Sequence, residues 1–111
     1  DFYMEKQDEK YLMEVKGCTL EIDGIGYFPD APSERAVRHL HELMHAAKQG
    51  YHCILAFVIA MPGVTVVRPN MTTHPAFGQA LSEAHKAGVD VWYLTCEITA
   101  DSIKAAELYK A

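Results

Sequence analysis

Apolar and polar positions along this chain follow two different periods, and the change from one to the other marks out its elements. Tyr11 to Leu20 reads as a strand, so Glu14 and Lys16 project from one face and Val15 from the other. Phe2 and Tyr3 mark a strand ahead of it, and the charged stretch from Glu5 to Lys10 is a turn. Together they make an antiparallel hairpin that brings the region of Asp1 across from the Glu14 and Lys16 end. Leu20 to Ile22 is a third short extended piece, followed by the bend Asp23-Gly24-Ile25-Gly26. The segment from Tyr27 to Ser33 leads into a helix running to about Lys48, with Asp30 and Ser33 as candidate N-caps and Pro32 in the first turn. Ala36, Val37, Leu40, Leu43, Met44 and Ala47 recur at helical spacing as one apolar stripe, and Gly50 closes the helix.

His52 to Ala60 is apolar almost without a break, the pattern of a central strand buried on both faces. Pro62-Gly63 turns the chain, and Val64 to Val67 reads as another strand ending at Arg68-Pro69. His74-Pro75 precedes a second helix, Ala76 to Ala87, closed by Gly88. Val89 to Cys96, with the single tryptophan Trp92, is a further strand. Asp101 to Tyr109 reads as a short last helix capped by Thr99 or Asp101. The order predicts an α/β domain in which a mixed sheet is flanked by helices.

Composition narrows the function classes. Length, 111 residues, predicts one domain with one core, and half of the residues are hydrophobic, ample for a compact fold. A formal net charge of -5 argues against tight, purely electrostatic wrapping of nucleic acid while leaving room for a local basic patch. The three cysteines, Cys18, Cys53 and Cys96, are odd in number and widely spaced in or beside apolar runs. That pattern predicts buried thiols in a reducing compartment, not a disulfide framework or a zinc set. The longest apolar run, Cys53 to Met61, is too short to cross a bilayer, so the expectation is a soluble cytoplasmic protein with no membrane partner.

Candidate chemistry gathers at the first hairpin. Asp1 and Glu14 supply two carboxylates and Lys16 an amine on adjoining strands, the set that a hard divalent cation and an attacking water need at a phosphodiester. The plainer reading is an exposed Glu/Lys pair on the solvent side of a sheet. His41-Glu42-Leu43-Met44-His45 matches the helical zinc-protease signature H-E-x-x-H. Helical projection, however, places His41 and His45 well away from the stripe through Leu40, Met44 and Ala47, on a mixed-charge face. Glycine also comes five residues past the second histidine, where the extended signature needs it after three. The reading is a polar helix face. His39 and His85 likewise read as surface residues. Arg35 and Arg38 form either a phosphate-contacting patch or a solvated face beside acids.

Glu14-Val15-Lys16-x-x-Thr19-Leu20, Gly26-Tyr27-Phe28-Pro29-Asp30-Ala31-x-Ser33-x-Arg35 and His39-Leu40-x-Glu42-Leu43 together resemble the sugar fermentation stimulation (SfsA) family. Val67-Arg68-Pro69, Pro75-x-Phe77-Gly78 and Ala87-Gly88-Val89-Asp90 fit the same pattern in the same order, so the resemblance runs over nearly the whole chain. It implies a restriction-endonuclease-like core, similar to the PD-(D/E)xK nucleases, over residues 1–111, without the OB-like domain that precedes it in family members. It further implies that Asp1 and Glu14 bind Mg²⁺ (or Mn²⁺) and that Lys16 orients the attacking water, for hydrolysis of DNA or RNA. Arg35 and Arg38 remain the candidate contacts to nucleic acid. The alternative that the family name carries is a non-catalytic DNA-binding regulator of sugar metabolism. This chain departs from the family pattern at Gly17-Cys18, at Ala36, and at His74, where the resemblance leads one to expect an acid.

Overall fold

The structure, a computed structural model, describes residues 2–98 and 100–111. Its elements run β1 (Phe2–Lys6), β2 (Glu9–Cys18), β3 (Leu20–Ile22), β4 (Ile25–Phe28), α1 (Glu34–Lys48), β5 (His52–Ile59), β6 (Val67–Pro69), α2 (Pro75–Lys86), β7 (Asp90–Ile98) and β8 (Ile103–Lys110). The class is mixed α/β, as the order of elements predicts. A five-stranded sheet has the order β1-β2-β5-β7-β8, and β3, β4 and β6 make a smaller three-stranded one. β1 and β2 pair antiparallel through a tight turn at Gln7 and Asp8, both with positive φ, the conformation whose twist suits a two-residue hairpin.

β2, β5 and β7 are parallel neighbours stepping in one direction across the sheet. Right-handed crossovers between strands that step one way all fall on one face. Both helices accordingly share a single core with that face: Leu40 and Leu43 of α1 and Phe77, Ala80 and Ala84 of α2 pack with Cys18, Cys53, Leu55, Phe57, Ile59 and Val91. β5 is buried along nearly its whole length, as a central strand should be. The opposite face of the sheet carries Phe2, Met4, Met13, Ile54 and Trp92 around a cleft of about 410 Å³.

Three segments depart from the pattern-based expectation. Ile103–Lys110 is a strand, not the expected helix over Asp101 to Tyr109; Thr99, one of its suggested caps, lies outside the described residues. Ala105, Ala106 and Leu108 favour a helix locally, but the free edge of β7 takes this segment as an antiparallel partner, and tertiary pairing overrides propensity. The strand expected from Val64 is confined to Val67–Pro69, because Val64 turns into the core. Ile25–Phe28, read as bend and lead-in, is a strand between β3 and β6.

α1 starts where its capping chemistry says it should. The Ser33 hydroxyl accepts the Ala36 N–H at 3.2 Å, and the Ser33 N–H donates to Nδ1 of His74, the residue preceding α2, at 3.1 Å. The starts of the two helices are thereby tied together. Replacing Ser33 by Ala should lower unfolding free energy by about 1 kcal/mol, and by Gly only a few tenths, in urea titrations. Equal losses in the two variants would mean that the hydroxyl does not cap the helix.

Candidate functional site

Alternation along β2 sends Leu12, Glu14, Lys16 and Cys18 toward the helices and Tyr11, Met13 and Val15 to the open face. Two charged side chains therefore sit in the middle of an otherwise apolar surface. Among the described residues Glu14 is the one charged residue counted in the interior, so the plainer expectation of a solvent-exposed pair does not hold. An isolated carboxylate there is costly, and its partners are close. Lys16 Nζ lies 3.2 Å from Glu14 Oε1, and their side chains are 14% and 11% exposed.

The third member of the cluster comes from α1. His39 Nδ1 is 2.6 Å from Lys16 Nζ and 3.0 Å from Glu14 Oε1. An ammonium can only donate, so Lys16 donates to the Nδ1 lone pair and the imidazole carries its proton on Nε2. The same ammonium lies between two acceptors and offsets their mutual repulsion. His39 is thus not the surface residue that its polar neighbours suggest. Ala36 and Leu43, three before and four after it, are both core positions. That places His39 on the flank of the apolar stripe, where α1 meets β2. The spacing was present in the sequence; which flank the sheet covers was not.

Burial and then the charge of Arg35 hold the Lys16 amine below its usual range, against the opposing pull of Glu42. His39 is likewise held low, by burial first and the Lys16 charge next, with Arg35 and Arg38 adding to it and Glu42 opposing. The Lys16 charge outweighs that of Glu42. Arg35 and Arg38 are exposed and stand beside the cluster, so the candidate patch borders the candidate site. Asp1 lies outside the described residues. His41 and His45 are exposed on α1, the latter 3.1 Å from the Gln49 amide, and His85 is exposed on α2. Among the described residues no three His, Cys, Asp or Glu side chains group as a metal site requires. Cys18 and Cys53 are buried free thiols, while Cys96 is only half-buried.

The fit to a divalent cation rests on the donor set. A buried carboxylate oxygen and an imidazole lone pair converge on a place that a positive charge, the Lys16 ammonium, already holds. A small cation taking the place of that ammonium would meet one oxygen and one nitrogen donor.

Depressed titration of His39 has a sign. The unfolded chain takes up this proton at a higher pH than the folded one, so the folded state is favoured above the ordinary histidine value and loses ground below it. Unfolding free energy should therefore decline as pH falls below about 6.5 toward the lower folded value. His39→Gln should flatten that decline, and an NMR titration should place the His39 imidazole below the ordinary histidine value. An unchanged slope in the variant would remove His39 as its source.

Residues 1–102 match the family model described as the sugar fermentation stimulation protein RE domain. A sugar fermentation stimulation protein homolog of Desulfitobacterium hafniense (strain Y51) is 49% identical over 107 residues, 96% of this chain and 47% of that protein. The homolog of Clostridium beijerinckii is 47% identical over 103 residues, 93% of this chain and 46% of that one. The solved structure of Pyrococcus furiosus SfsA in complex with Ca²⁺ superposes with a TM-score of 0.89 at 28% identity, covering 97% of this chain and 47% of that one. The chain spans about half the length of the curated relatives it matches.

Proposed function

The chain belongs to the sugar fermentation stimulation protein family, and on that premise we propose that it is a divalent-cation-dependent nuclease domain hydrolysing phosphodiesters of DNA or RNA. The observation that carries this reading is the placing of Glu14 and Lys16 side by side on the helix-facing side of β2, with the carboxylate buried and the amine held low. Glu14, with Asp1, would hold Mg²⁺ or Mn²⁺. When bound, the cation polarises a phosphate oxygen and lowers the pKa of a bound water. Lys16 orients that water and offsets charge developing on the phosphate, a task for which an ammonium with three donors suits it. Arg35 and Arg38, exposed at the border of the cluster, contact the backbone phosphates. The relative from Pyrococcus furiosus, solved with Ca²⁺, supports a hard-cation site in this fold. No helix among the described residues is long and apolar enough to cross a membrane, and the free thiols suit the reducing cytoplasm, where we place the protein.

A second reading draws on the same cluster. Glu14 already has two basic partners, Lys16 and His39, as a relic carboxylate in a non-catalytic DNA-binding regulator would. Cleavage of labelled DNA and RNA with Mg²⁺ or Mn²⁺ tests the first reading. Glu14→Ala and Lys16→Ala should each lower the rate by about a hundredfold or more, and unchanged rates in both would sink it. A salt titration of binding, with and without EDTA, separates the two. The enzyme should bind more weakly without metal, whereas the regulator should bind equally well and lose affinity steeply with salt.

A further inference from the structure

Resting on the cation-dependent reading above, we infer that the cation at Glu14 takes a nitrogen ligand too. Nδ1 of His39 binds it beside the Glu14 carboxylate, and Lys16 keeps that place until the cation arrives. The D…ExK pattern assigns no such role to α1. The separation of the two donors is the first argument. Oε1 of Glu14 and Nδ1 of His39 are 3.0 Å apart. Neighbouring corners of an octahedron with bonds of about 2.1 Å lie about 3 Å apart, whereas bonds near 2.4 Å, those of Ca²⁺, spread them to about 3.4 Å. The pair is spaced for a small ion.

The direction of the lone pair is the second argument. A neutral imidazole has one acceptor nitrogen, and here that nitrogen is turned inward, 2.6 Å from a cationic group, and not toward solvent. Lys16 and the metal compete for the same electrons. A cation entering this place displaces the ammonium from Nδ1 and frees its donors for water or phosphate. The third argument is rigidity. His39 is 13% exposed, on a helix whose start is capped and tied to α2, so the nitrogen is held in place before any cation binds. Imidazole binds first-row transition ions better than Mg²⁺ or Ca²⁺, so the site should prefer Mn²⁺ over those two. Among the described residues no third His, Cys, Asp or Glu joins the pair. The remaining corners fall to water and to phosphate oxygens.

The test uses the full chain with Mn²⁺ and Ca²⁺ as probes and reads binding, not cleavage. Calorimetric titration should show Mn²⁺ bound more tightly than Ca²⁺. His39→Asn, with its fold checked by circular dichroism, should weaken Mn²⁺ binding at least tenfold and leave Ca²⁺ binding within threefold. Lys16→Met should strengthen Mn²⁺ binding, because the competing charge is gone. Pulsed EPR of bound Mn²⁺ should show a ¹⁴N coupling that disappears in His39→Asn. A coupling that is absent from the wild type or persists in that variant overturns the inference, as does an unchanged preference between the two ions, while the cation-dependent reading stands. Mn²⁺ and Ca²⁺ binding that is absent, or unaffected by Glu14→Gln, overturns both.

Discussion

A carboxylate held inside an apolar surface constrains everything around it. Glu14 lies on the helix-facing side of β2, among residues such as Leu55 and Leu12 that cannot solvate it. Stripping one partner from a buried ion pair typically costs about 3–5 kcal/mol, because the charge that remains is uncompensated. Lys16, the charge that compensates it and also meets the His39 lone pair, therefore serves the fold as well as any chemistry. Lys16 is supplied by the alternation of the same strand, and His39 by a helix that must pass close to that strand.

The path of the chain ensures that passage. β2, β5 and β7 lie side by side and parallel, so the two crossovers stack their helices on one side, and α1 crosses over the strand that carries the charged pair. The same one-sidedness leaves the other face of the sheet with Phe2 and Met4 exposed and the indole Nε1 of Trp92 buried without a partner among the described residues. One topological choice thus builds the polar cluster on the first face and an uncovered apolar surface on the second.

Much of this was legible in the order of residues. The capped helix, the largely buried strand His52–Ile59, the hairpin and the pairing of Glu14 with Lys16 all follow from local period, because each is decided by neighbours in sequence. What escaped was decided by neighbours in space. Ile103–Lys110 has the composition of a helix and becomes a strand because β7 offers it an open edge. His39 and His41 occupy opposite flanks of one apolar stripe and look equivalent along the chain. Only the arrival of β2 against one flank makes the first an inner residue and leaves the second in water. The exposed arginines, Arg35 and Arg38, gain their meaning from the same event.

The contact between Ser33 and His74 also accounts for one departure from the family pattern. The backbone N–H ahead of α1 requires only an acceptor, and Nδ1 of His74 provides one. A side-chain carboxylate at that position could receive the same proton, and it would gain further from the positive end of α2. An acceptor at position 74 thus braces the starts of two helices, and either a carboxylate or an imidazole can supply it.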